Sequence, residues 1–363
     1  MKKLLIIVYC VICSIMVHAQ NNEDFVKGAD IGSLTSQEAR GVKFHDKHGN
    51  ERECLDLLKD YQINAVRLRV WVNPRDGYCG KEDVLQKALR AKEKNMDIML
   101  CFHYSDWWAD PAKQPIPASW MGHDFKQMKK DLAAHTIEVL RLFKDNGVTP
   151  RWVQVGNETS NGMLWNVKTD ERGWEIKDEN GNTTVTYSMG HIKTEPKNYA
   201  GFIRAGYKAV KKVFPKSIVI VHLDNGFDPN LYDYNLGTVL RYGGKFDMIG
   251  MSVYPYWAMD SKKEPSAEKT ITDAIANIRR VAEKYKKDVM IVETGFEVNE
   301  YHPEIMEEGR EQLKRLIHES RYQTNGHCRG VFYWEPQMLP GGYKLGAFDK
   351  NGTPTSIMDG FVE

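Results

Sequence analysis

Two glutamates stand at the ends of short apolar runs: Glu158 closes Trp152-Val-Gln-Val-Gly-Asn157-Glu158, and Glu293 sits in Met290-Ile-Val-Glu293-Thr-Gly. Two carboxyl groups that face each other can do work that neither does alone. One protonates a leaving oxygen while the other, ionised, attacks carbon or activates water. Cleavage of a glycosidic bond needs that division of labour. The Asn157-Glu158 dipeptide alone is a weak signal, and a lone Glu after a strand is more often a helix cap than a catalyst. Two at comparable strand ends reverse that weighting.

The other strand ends add residues that suit a sugar. Arg67 and Arg69 alternate with Leu68 and Val70. An inward-facing arginine on a buried strand needs a carboxylate partner, and Arg69 is the one expected to support Glu293. Cys101-Phe-His103-Tyr104-Ser105-Asp106-Trp107-Trp108 turns polar and aromatic after an apolar start, as a binding rim would. In Ser252-Val-Tyr254-Pro-Tyr256-Trp257, Tyr254 is placed to hydrogen-bond the nucleophile. In Phe332-Tyr333-Trp334-Glu335-Pro336, Trp334 can floor a sugar ring. Glu335 is a rival catalytic carboxylate, ranked lower because Trp334 and Pro336 suggest a packed loop. His222 and Asp224 end another apolar run and either line the mouth or are hydrogen-bonded in place. His45-Asp-Lys-His48 has helical spacing but lies in a Gly- and charge-rich loop, so a metal site is not expected there and no cofactor is implied. No G-x-S-x-G elbow occurs, which argues against acyl transfer.

The elements that must position these residues recur as a unit: a short β-rich run, a loop, then a charged amphipathic segment. Eight strands are expected, over Gly28 to Leu34, Asn64 to Val72, Asp97 to Ser105, Arg151 to Asn157, Ser217 to Leu223, Asp247 to Tyr254, Asp288 to Thr294 and Gly330 to Trp334. Runs such as Ser217-Ile-Val-Ile-Val suit strands buried on both faces. Helical patterns lie over Glu51 to Tyr61, Lys81 to Asn95, Phe125 to Asn146, Pro196 to Phe214, Thr270 to Lys286 and Glu304 to Gly326. Alternating β and α segments with eight strands point to an α/β fold, the (β/α)₈ TIM barrel. A doubly wound sheet would want a glycine-rich phosphate turn, and Gly32-Ser33-Leu34-Thr35 after the first strand is not one.

With 363 residues and no repeat or linker, the chain reads as one catalytic domain over 20–363 after a signal peptide over 1–19. Met1-Lys2-Lys3, the apolar Leu4 to Val17 and Val17-His18-Ala19 make that export signal, too short for a membrane span. The protein is expected outside the cytoplasm, in the periplasm, at the cell surface or free, and as a monomer. The net charge of +1 gives no electrostatic reason for a nucleic-acid or anionic-membrane partner. The 9 Trp and 17 Tyr fit a polysaccharide partner, although many such rings are simply core. Cys54, Cys79, Cys101 and Cys328 follow the signal; an oxidising compartment allows up to two disulfides in three pairings, with Cys101 the expected free thiol. The segment from Thr159 to Glu195, with Trp165, Trp174 and Tyr187, is long for a loop and reads as a substrate-binding elaboration.

Taken jointly, these strand ends resemble glycoside hydrolase family 53, the endo-β-1,4-galactanases, within clan A of retaining (β/α)₈ glycosidases. The resemblance runs from Gly28-Ala-Asp-Ile to about Phe361. Its most specific pieces are Val66-Arg-Leu-Arg-Val-Trp-Val-Asn-Pro74, His103-Tyr-Ser-Asp-Trp-Trp-Ala-Asp-Pro111 with Gln114, Pro117 and Trp120, Val155-Gly-Asn-Glu158, Glu293-Thr-Gly and Phe332-Tyr-Trp-Glu-Pro336. It implies internal cleavage of β-1,4-galactan, the side chains of pectic type I arabinogalactan, with Glu158 as acid/base and Glu293 as nucleophile. By the same likeness Asn157 meets the sugar 2-hydroxyl; Arg69, His103, Tyr254 and Trp334 surround it; Asp106, Trp107 and Trp108 shape subsites. The chain departs from some bacterial relatives in lacking an aspartate cluster after the seventh strand, so calcium is not expected. Another endo-glycanase of the clan, a mannanase or cellulase, and a non-catalytic glycan-binding barrel are the rival readings.

Overall fold

A computed structural model describes residues 25–362, apart from 169, 171–175 and 182–183. The expected export signal and Trp174 lie outside the described residues. Eight parallel strands close a barrel: β1 (Val26–Asp30), β2 (Ala65–Val70), β3 (Asp97–Phe102), β4 (Trp152–Val155), β5 (Ile218–Leu223), β6 (Met248–Ser252), β7 (Asp288–Glu293) and β8 (Cys328–Trp334). Each pairs with its sequence neighbours, and β1 closes on β8 in the register Val26 with Gly330 through Asp30 with Trp334.

Alternate residues along each strand serve two cores, as the two-residue period of a strand requires. Val66, Leu68, Ile98, Leu100, Val153, Val219, Val221, Ile249, Ile291 and Val331 face outward into a large layer shared with the helices. Val26, Ala65, Met99, Trp152, Ile220, Met248, Met290 and Phe332, one from each strand, plug the barrel's lower interior. Small residues make room for the large ones: a Cβ on Gly28 would lie 2.2 Å from the Phe332 ring. Above this plug the inward positions become polar, with Asp30, Arg67, Gln154 and His222 all buried. The barrel is therefore a filled scaffold whose chemistry is confined to one end.

Nine helices are described, α1 (Leu34–Ala39), α2 (Cys54–Asp60), α3 (Lys81–Glu93), α4 (Phe125–Asp145), α5 (Pro196–Val213), α6 (Pro229–Arg241), α7 (Pro255–Asp260), α8 (Ala267–Tyr285) and α9 (Pro303–Tyr322). Six match the expected helical patterns to within a few residues at each end. No expected helical pattern covers α6, although Asp228 caps it, accepting from the amides of Asn230 and Leu231, with Pro229 in its first turn. The strands stop short of several expected C-terminal ends because those residues leave the ladder to form the site.

Two further expectations change. All four cysteines of the described chain are free and buried, so neither disulfide forms. The long segment after β4 contains a small antiparallel hairpin, Trp165–Val167 with Val185–Ser188. It packs against the wall: Trp165 is buried and its amide bonds the Gln114 carbonyl at 2.8 Å, while Tyr187 donates to the His123 carbonyl at 3.0 Å. Neither aromatic reaches the cleft described below. Among the described residues no helix is long and apolar enough to cross a membrane.

Candidate active site

At the C-terminal end of the strands lies a cleft of about 600 Å³, lined by Glu158 and Glu293 together with His103, Asn157, Tyr254 and Trp334. This is the end of the barrel on which such folds build their sites. Trp108 and Asp224 also face it.

Glu293 ends β7 and is held from two sides. The Arg67 guanidinium contacts its Oε1 at 2.8 Å and Tyr254 Oη donates to its Oε2 at 3.1 Å. Burial pushes its carboxyl above the ordinary 4.5, and Arg67 pulls it back. Glu158 follows β4 in a left-handed backbone conformation, φ 44°, which is uncommon for a residue with a side chain. Its backbone N–H donates to His222 Nδ1 at 3.3 Å, fixing the turn that lifts the side chain into the cleft. Burial, then the nearby Glu293 and Asp224, push its carboxyl well above 4.5; Ser252, donating to Oε1 at 2.6 Å, acts in the opposite direction. The asymmetry is physical. Both are buried carboxyls, but only Glu293 has a cation against it.

The pair is thus set for opposite proton states, one carboxylate and one carboxylic acid. Activity is expected to fall as pH drops through the raised value of Glu293, and again as pH rises through the higher value of Glu158. A bell whose acid limb lies above 4.5 is the expected kcat/KM profile. A monotonic profile would contradict the two-carboxyl arrangement.

The support expected of Arg69 for Glu293 comes from Arg67 instead. Arg69 meets Glu335, not Glu293, and its guanidinium lies over Trp108, 4.3 Å from the ring centroid. Arg67 is the one beside Glu293, and it also bonds Asp30 at 2.7 Å and Asn157 Oδ1 at 2.8 Å. The alternation put both side chains inward, but which carboxylate each meets depends on height in the barrel. Glu335 is 1 % exposed and tied to Arg69, Ser33 and Gln337, so it is closed off from the cleft.

His103 Nδ1 accepts from Trp71 Nε1 at 3.4 Å and from the Ala109 amide at 3.3 Å. Its proton therefore sits on Nε2. Burial and the two arginines hold it well below 6.5, so it is a neutral donor. Trp334 packs 5.8 Å from Trp108 and 4.6 Å from Tyr343, which also lines the cleft. Tyr343, from the irregular loop after β8, carried no sequence signal. Asp106 lies outside the cleft lining: its carboxylate accepts from the amides of Asn73 and Ala118, bracing the rim. Trp107 is 52 % exposed and lies tilted against Trp71, centroids 4.5 Å apart, outside the cavity. His45 bonds the Asn351 carbonyl, while Asp46 caps the turn before His48.

Residues 26–357 match the model of glycosyl hydrolase family 53. The chain belongs to this family. A probable arabinogalactan endo-β-1,4-galactanase A of Neosartorya fischeri is 30 % identical over 331 residues, 85 % of this chain and 83 % of that protein. An endo-β-1,4-galactanase of Bacillus subtilis is 30 % identical over 347 residues, covering 89 % of this chain and 72 % of that protein. Among solved family 53 structures, the catalytic domain from Ignisphaera aggregans superposes with a TM-score of 0.77 at 26 % identity, covering 93 % of this chain and 96 % of that one. A fungal β-1,4-galactanase gives the same TM-score of 0.77 and 26 % identity, with 93 % and 98 % covered. As a family 53 member the protein is a glycoside hydrolase on a (β/α)₈ barrel.

Proposed function

We propose that the protein is an exported, monomeric endo-β-1,4-galactanase that cleaves linear galactan, including the side chains of type I arabinogalactan, with retention of configuration. The observation that carries this reading is the pairing of Glu158 and Glu293 in one cleft, one without a counter-charge and one against Arg67. Relatives named for β-1,4-galactan supply the substrate class.

The mechanism is a double displacement. Glu293, ionised, attacks the anomeric carbon and forms a glycosyl–enzyme bond. The anomeric C–O bond breaks as Glu158 gives its proton to the leaving oxygen. Water then loses a proton to Glu158 and attacks the same carbon, releasing Glu293 and a sugar of the original configuration. His103 Nε2–H is available to a sugar hydroxyl, and Trp334 offers a ring face beneath it. By the family likeness Asn157 meets the 2-hydroxyl; its amide is oriented by donation to the Ala109 carbonyl at 2.9 Å.

Digestion of linear β-1,4-galactan beside mannan, glucan and xylan tests the substrate class: galacto-oligosaccharides should appear, and hydrolysis of another backbone alone would overturn it. A second result bears on roles. Glu158→Ala should lose about 10²–10⁴-fold in kcat/KM on galactan, yet little on an aryl galactobioside whose leaving group needs no proton. Equal loss on both would remove Glu158 from the acid role.

A further inference from the structure

The acid carboxyl has two oxygens, and only one can face the leaving group. What decides which of them carries the proton is a chain of hydrogen bonds whose direction is set at its far end. Arg67 Nε can only donate, and it meets Gln154 Oε1 at 3.2 Å. That fixes the Gln154 amide, whose Nε2 then donates to His222 Nδ1 at 2.9 Å. The Glu158 backbone N–H donates to the same nitrogen. With Nδ1 an acceptor, His222 carries its proton on Nε2, directed at Ser252 Oγ 2.8 Å away. The Ser252 hydroxyl thereby accepts from His222, and its own hydrogen goes to Glu158 Oε1 at 2.6 Å. Gln154, His222 and Ser252 are all buried, and the reverse arrangement would put a proton on Nδ1 facing two other N–H donors, from Gln154 and the Glu158 backbone.

We propose that Ser252, polarised by His222 and Gln154, is a positioning residue that keeps the catalytic proton on Glu158 Oε2, the oxygen free to meet the leaving group. This rests on the double-displacement reading above. The chain also joins the two carboxyls: Arg67, which holds Glu293, is the group that sets its direction. His222 stays neutral throughout, since burial and the charge of Arg67 hold it well below 6.5. When Glu158 is ionised in the glycosyl–enzyme stage, the same Ser252 hydrogen stabilises the anion.

The test is Ser252→Ala, with Ser252→Thr as the hydroxyl-bearing control. The other groups that act on Glu158 are Glu293 on β7, Asp224 after β5, Asp110 before α4, Tyr232 on α6, Tyr254 after β6 and Tyr343 after β8, and both variants keep all of them. Ser252→Ala should lower kcat/KM on linear galactan about 10–100-fold while leaving a dinitrophenyl β-galactobioside within about threefold. Its alkaline limb should move up by about one pH unit, because a hydrogen bond to the ionised form is gone. Ser252→Thr should restore both. Equal losses on the two substrates, or an unmoved alkaline limb, would mean that Ser252 only fills space. Should Glu158→Ala itself show no dependence on leaving group, the acid assignment falls and the relay with it; selectivity in Glu158→Ala without selectivity in Ser252→Ala overturns the relay alone.

Discussion

Glu293→Gln is expected to stop turnover of linear β-1,4-galactan and of activated aryl galactosides alike, by about 10⁴-fold or more. The amide keeps the volume but cannot form the glycosyl–enzyme bond, and a good leaving group does not help when the nucleophile itself is missing. Folding should survive, because Arg67 retains Asp30 at 2.7 Å as its counter-charge. Glu293→Ala adds a stereochemical readout: azide entering the vacated space should yield the α-galactosyl azide, identifiable by NMR. Turnover surviving in both variants would move the nucleophile elsewhere, to Asp224, which also faces the cleft, as the next candidate.

Arg67→Met is expected to cost about 3–5 kcal/mol of stability and most of the activity. Arg67 is 1 % exposed and serves Asp30, Glu293, Asn157 and Gln154 at once. Methionine fills the space but leaves Glu293 without a cation and Asp30 with only Arg69, 3.5 Å away, as counter-charge. The loss should depend on pH with a definite sign. Without its cation Glu293 rises further above 4.5, so its native form favours the proton more than its unfolded form does. The penalty is then fully present above the raised value and fades as pH falls toward 4.5. Denaturant melts of wild type and variant at several pH values measure this gap directly; a deficit independent of pH would mean lost packing rather than lost charge.

Much of this was legible because parallel strands buried on both faces announce themselves as apolar runs, and their C-terminal ends are where such a barrel keeps its chemistry. Glu158, Glu293, His103, Trp108, Tyr254 and Trp334 stand at or just after such ends, and all six face the cleft. The arginines show where that reading stops. Two residues apart on β2, Arg67 and Arg69 share a direction but not a layer: Arg67 pairs in register with Asp30, and Arg69 sits higher beside Glu335. Asp106 and Trp107 belong to a polar, aromatic stretch of the right kind, yet one serves backbone amides and the other the outer rim. Ser252 and Gln154 gave no signal, since a small hydroxyl or a buried amide in a strand looks like any filler until its partners across the barrel are known. Tyr343 comes from a loop with no periodicity to read.

The absence of cross-links among Cys54, Cys79, Cys101 and Cys328 has a consequence for how long the molecule lasts. A covalent bridge restricts the unfolded chain and shortens the route back, and this barrel has none among its described cysteines. Without such a bridge, its persistence would follow how seldom the closed ring of strands opens. Each opening bares thiols that are shielded in the closed state, so a single excursion can be made permanent by oxidation or mispairing.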